Sequence, residues 1–87
     1  MNQNFFITFT KHAREMMELR NVKEEWVEQT LESPETEEID TKDISLKIAF
    51  RRIAEFDNRW LRAVYRRDSQ NMKVITVFFD RGMEKRK

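Results

Sequence analysis

Aromatic and β-branched residues open the chain. Asn4-Phe5-Phe6-Ile7-Thr8-Phe9 is short and apolar, which predicts a strand. Thr10 stands where a helix N-cap belongs, and the period changes after it. Ala13, Met16, Met17 and Arg20 recur at helical spacing with Glu15 and Glu18 opposite, predicting a helix over 11–20. Asn21 predicts a break. Val22, Trp26, Val27, Thr30 and Leu31 form a second apolar stripe, with Glu24, Glu25, Glu28 and Glu32 on its wet side. This predicts a helix over 24–33, stopped by Pro34, because the residue before a proline is pushed out of the α region. With so few residues between them, the two helices should pack as a hairpin that buries Ala13, Met17, Val27 and Leu31.

After Pro34 the pattern turns to a period of two. Glu35 to Asp43 holds five acids against Lys42 and has little to bury, so it predicts a short edge strand or a loop. From Ser45, Leu46, Ile48 and Phe50 alternate with Lys47, Ala49 and Arg51, and Asp57-Asn58 predicts a tight turn. Arg59 to Arg67 returns as a strand, and Asp68-Ser69-Gln70-Asn71 makes the next turn. Met72 to Phe79 reads as apolar on both faces (Val74 and Phe78; Ile75, Val77 and Phe79), which predicts a central strand. Arg81 to Lys87 is a basic tail, expected to be mobile. The predicted fold is α+β: an N-terminal strand, a two-helix hairpin, then an antiparallel meander of three to four strands, all in one domain over 1–87.

Composition narrows the chemistry. Eighty-seven residues leave room for one core, and seven Phe, two Trp and five Met anchor it. The absence of cysteine excludes disulfides and thiolate metal sites, and a single histidine excludes a zinc site built on several imidazoles. No apolar run approaches the ~20 residues of a membrane span and no signal peptide is visible, so a soluble, cytoplasmic protein is expected. The net charge of +1 conceals a division. Residues 1–44 carry five Lys/Arg against eleven Asp/Glu, a local −6, whereas residues 45–87 carry twelve against five, a local +7. A basic half of that density suits a polyanion, although solvated strand faces carry such charges as well.

Phe9-Thr10-Lys11-His12-Ala13-Arg14, followed by Met17, Arg20 and Val22, resembles the opening of small bacterial domains in the RelE/ParE toxin superfamily, which has BrnT-like toxins among its relatives. Leu31-Glu32-Ser33-Pro34 is similar to the end of their second helix. Trp60-Leu61-Arg62-Ala63-Val64-Tyr65 and Val74-Ile75-Thr76-Val77-Phe78-Phe79 resemble their later strands. The resemblance implies a RelE-like fold and an endoribonuclease toxin that cuts RNA without metal or cofactor. It also implies a cognate antitoxin that covers the basic surface; self-association stays open. The acidic second helix departs from the lysine-rich helix of some relatives, which puts an RNA path there in doubt. A non-catalytic RNA- or protein-binding module with the same fold is the alternative.

Metal-free cleavage needs a base for the ribose 2′-hydroxyl, cations for the charge growing on phosphorus and an acid for the leaving oxygen. His12 is the one side chain that ordinarily titrates near neutrality, and the start of a helix favours its neutral, base-competent form. It would serve equally as a strand-to-helix junction residue. Arg62, among Trp60 and Val64 on its side of the pleat, is suited to hold a phosphate with both arms, or to pair with an acid such as Glu55. Tyr65 is a candidate proton donor, slow at an ordinary pKa of about 10. Lys47, one of Arg51 and Arg52, and Arg66 are candidate RNA contacts, with Trp60 and Tyr65 as rings for base stacking. Arg20 is a further candidate, though a cation at a helix end is favourable anyway.

Overall fold

The computed structural model describes residues 6–85, with side chains to residue 83. Strand β1 (Phe6–Phe9) leads into helices α1 (Lys11–Leu19) and α2 (Glu24–Glu32), then strands β2 (Thr36–Ile39), β3 (Leu46–Ile53), β4 (Arg59–Asp68) and β5 (Asn71–Phe79). A short helix, α3 (Arg81–Lys85), closes the described chain. Asn4 and Phe5 of the expected first strand lie outside the described residues.

Local signals set the boundaries. The Thr10 hydroxyl accepts from the Ala13 N–H at 3.0 Å and donates to the Ile75 carbonyl at 3.1 Å, so one side chain caps α1 and ties it to β5. Asn21, at φ 57°, ends α1 in the left-handed conformation that asparagine tolerates, and the Val22 N–H returns to the Met17 carbonyl. Glu24 and Glu25 place negative charge in the first turn of α2, where the helix dipole favours it. Asp57 and Asn58 both take positive φ in the turn between β3 and β4, after a turn of 3-10 helix at Ala54–Phe56.

Among the described residues the strands form one sheet in the order β1-β5-β4-β3-β2. Strands β2 to β5 are the expected antiparallel meander, and the acidic β2 is an edge strand. The two-helix segment carries the chain across so that β1 pairs parallel with β5, which makes the sheet mixed. Helix α1 packs mainly on β5 and α2 on β3 and β4, rather than the two helices packing mainly on each other as a hairpin. Strand β5 is therefore interior, as expected, while β4 is the middle strand.

Both helices pack on one face of the sheet. Ala13, Met17, Trp26, Val27 and Leu31 bury against Ala49, Ile53, Leu61, Ala63, Tyr65, Met72, Val74 and Val77. The other face carries a smaller cluster of Ile48, Phe50, Trp60 and Val64, covered by Met83 of α3. The segment expected to be a mobile basic tail is thus helical over 81–85 and buries Met83; residues 86 and 87 lie outside the described residues. The two apolar faces expected of β5 are also corrected. Val64 pairs with Thr76 and Tyr65 with Val74, so Ile75 is an extra residue that shifts the alternation. Met72, Val74, Val77 and Phe79 consequently all reach the helix side, leaving Ile75 to the second cluster.

Candidate functional site

Alternation along β3 and β4 divides the candidate residues between the two faces of the sheet. Arg52, Trp60, Arg62 and Arg66 share the face of Phe50 and Val64, away from α1 and α2. Lys47, Arg51 and Tyr65 share the helix-side face with Ala49 and Ile53. His12 is exposed in the first turn of α1, and Arg20 caps the end of that helix. The expected pairing of His12 with Arg62 is therefore corrected. Helix α1 packs on β5 from the face opposite Arg62, so the sheet stands between the helix that carries His12 and the Arg62 guanidinium. Lys47 likewise belongs to the face opposite Arg62, and of the two neighbouring arginines it is Arg52 that joins Arg62.

Arg62 is half-buried in the middle strand. Its guanidinium lies 5.1 Å from the Phe78 ring centroid and 5.8 Å from that of Phe50, two cation–π contacts that hold it on the open face. Its acid partner is Asp80, not Glu55, and the Nη1 to Oδ2 distance is a long 3.4 Å. The Nε–H is buried and has no hydrogen-bond partner. Leaving such a donor unmet costs about 1–3 kcal/mol, so Arg62 is held by its surroundings without being satisfied by them.

Of the flanking arginines, Arg52 is better matched. Arg52 Nη2 lies 2.9 Å from Glu35 Oε1, its Nε and backbone N–H also donate to the same carboxylate, and its guanidinium stands over the Trp60 ring. The hydrogen bond from Arg52 leads the causes that hold the Glu35 carboxyl below its ordinary range. Arg66 faces Asp43 at a loose 3.8 Å. Arg51 donates to the Ser33 carbonyl at 2.7 Å and so latches the end of α2 to β3.

Tyr65 is buried on the helix side, and its hydroxyl donates to Glu37 at 3.0 Å. Burial, followed by Glu37, pushes its pKa up to about 12, the wrong direction for a proton donor at neutral pH. Trp60 is buried under α3 as well, so neither ring offers the open face that base stacking needs.

A hollow of about 330 Å³ lies on the open face beside Arg62, lined also by Glu38, Ile39, Asp40, Thr41, Lys42 and Ile48. Its size falls within the usual range of ligand pockets, about 300–1,000 Å³. Glu38, Asp40 and Lys42 are absent from the residues that sequence singles out. The available signal was alternation: in Glu37-Glu38, one carboxylate of the pair must share a face with Arg62, and the register of β2 on β3 decides which. Among the described residues, no group of three or more His, Asp or Glu is arranged to hold a metal ion.

A family model described as a domain of unknown function (DUF4258) matches residues 9–79, from the last residue of β1 to the end of β5. The chain belongs to this family. The DUF4258 stretch contains both helices, the meander, Arg62 and the hollow beside it, while α3 lies beyond it. No curated protein and no solved structure matches the chain. Among the described residues, no helix is long and apolar enough to cross a membrane.

Proposed function

We propose that this chain acts on RNA as the toxin member of a bacterial toxin–antitoxin pair, cutting the strand without metal through its own 2′-hydroxyl, with Arg62 as the phosphate clamp. The observation that carries this reading is the state of Arg62. It is a guanidinium held between two aromatic rings on the open face, with a buried Nε–H unmet and a 3.4 Å contact to Asp80 that a phosphate oxygen would improve on. The sequence resemblance to the RelE/ParE superfamily supports the reaction class. Arg66 and Arg52 extend the same face for the flanking phosphates, and a protein antitoxin would act by covering that face.

A second reading is a non-catalytic RNA- or protein-binding module. It is favoured by the separation of His12 and Tyr65 from Arg62, and by the acids that already oppose Arg52, Arg62 and Arg66. Incubating purified protein with a short RNA in EDTA separates the two. Cleavage to 2′,3′-cyclic phosphate ends, lost in Arg62→Ala, supports the nuclease. Arg62-dependent retention of intact RNA supports the binding module. If RNA is neither cut nor retained, both RNA readings fall.

A further inference from the structure

We propose that the hollow beside Arg62 is a ribonucleotide site in which Glu38 is the general base and Lys42 the general acid, an assignment that rests on the nuclease reading above. Strand register puts Glu38 there. Glu38 pairs with Ile48 and Ile48 with Val64, both members of the open-face cluster, so the Glu38 side chain shares the face of Arg62. Its neighbour Glu37 pairs with Ala49, faces the helices and receives the Tyr65 hydroxyl. Glu38 and Arg62 are two strands apart and offset by two residues along them, roughly 12 Å in all at about 4.8 Å per strand and about 3.4 Å per residue. That span lies within the combined reach of a glutamate and an arginine, and both line the one hollow.

The other groups of the hollow have defined places. Asp40 Oδ1 accepts the backbone N–H groups of Lys42 and Asp43 at 2.7 and 3.1 Å, so this carboxylate is committed to the turn. Lys42 sits on the rim of the hollow in that same turn. Glu38 is half-buried on an edge strand, at the margin where the sheet meets solvent. A carboxylate and a guanidinium opening on one space match the two neighbouring demands of a ribonucleotide, a hydroxyl that gives up a proton and a phosphate that gathers charge.

The step balances with the groups present. Glu38 takes the proton of the ribose 2′-hydroxyl as that oxygen bonds to phosphorus, while Arg62 holds the non-bridging oxygens. The bond from phosphorus to the 5′-oxygen breaks, its electron pair stays on that oxygen, and the oxygen takes a proton from Lys42. The products are a 2′,3′-cyclic phosphate and a 5′-hydroxyl, after which Glu38 returns its proton to water and Lys42 regains one.

Single-turnover cleavage of a short RNA in EDTA, read together with retention of that RNA by the same protein, tests the assignment. Glu38→Gln should cut at least a hundredfold more slowly while retaining RNA as well as wild type does, since general acid–base groups are worth about 10²–10⁴ in rate. Glu37→Gln, one residue away on the opposite face, should cut at the wild-type rate. Glu38→Asp keeps the charge but withdraws it, and should also slow cleavage; a normal melting transition for it excludes misfolding as the cause. If wild type cuts and Glu38→Gln cuts within a few-fold of it, the assignment is overturned and the nuclease reading stands. If wild type does not cut at all, the nuclease reading itself falls.

Discussion

Tyr65 and Arg62 stand three residues apart on one strand and belong to opposite faces of the sheet, with opposite consequences for chemistry. The chain has one tyrosine, so its ionisation can be followed by ultraviolet absorbance without interference from another phenol. The midpoint should fall at about 12, where burial and Glu37 hold it. An ordinary value near 10 would mean that the hydroxyl is solvated and the contact to Glu37 is not made. Because the folded value lies above the unfolded one, the stability linked to Tyr65 is fully present below about pH 10 and is lost as pH rises through about 12. His12, exposed and across the sheet from Arg62, should be dispensable: His12→Ala should cut RNA at the wild-type rate, and a hundredfold loss would return it to the site. Arg62 stands out in the sequence because a guanidinium between Trp60 and Val64 on a strand is conspicuous, and the structure places it half-buried on the open face. Alternation along β4 already sets Tyr65 on the face opposite Arg62, whereas Lys47 could not be separated from Arg62, since its face follows from the register of β3 on β4. Glu38 was hidden by its setting, one acid among five in a segment that reads as solvated charge.

Helices α1 and α2 and the turns between strands answer to local signals, which is why these helices and most of the strands were legible. Thr10 concentrates two roles, capping α1 and bonding the Ile75 carbonyl beside the bulge. Thr10→Ala should cost about 1 kcal/mol for the cap alone, with up to about as much again for the second hydrogen bond, measured as a shift in urea midpoint. No shift would contradict the cap. The bulge at Ile75 was not legible, because Met72 to Phe79 offers an apolar residue at almost every position and alternation alone cannot find an inserted one. Helix α3 was missed for a different reason: five residues with one methionine carry no period. Its docking is a property of Met83 against Ile48, Phe50, Trp60 and Val64. Met83→Ala should lower stability by about 2 kcal/mol, the low end for a buried methionine, whereas an unchanged midpoint would mean that α3 does not dock.

Across the whole molecule, the acidic first half and the basic second half meet at the β2 side of the sheet. Glu35 and Asp43 come from the first half, and the Arg52 and Arg66 they oppose come from the second. The segregation seen along the chain is thereby partly neutralised in space, and the open face is less basic than the count over residues 45–87 implies. With Arg52, Arg62 and Arg66 each engaging one phosphate, the affinity for single-stranded RNA should fall with salt at a log–log slope of about −2, from roughly 0.7 per neutralised phosphate. A slope near zero would remove the arginine face from RNA binding. The claim on which the account turns is that Arg62 on this face grips a phosphate of RNA, and the most direct measurement compares wild type, Arg62→Lys and Arg62→Ala on one short RNA in EDTA, with melting curves confirming that each is folded. The account predicts cleavage to 2′,3′-cyclic phosphate by wild type and at least a hundredfold loss in both variants, because a lysine supplies charge without the two-armed grip. A folded Arg62→Ala that cuts as fast as wild type would contradict it.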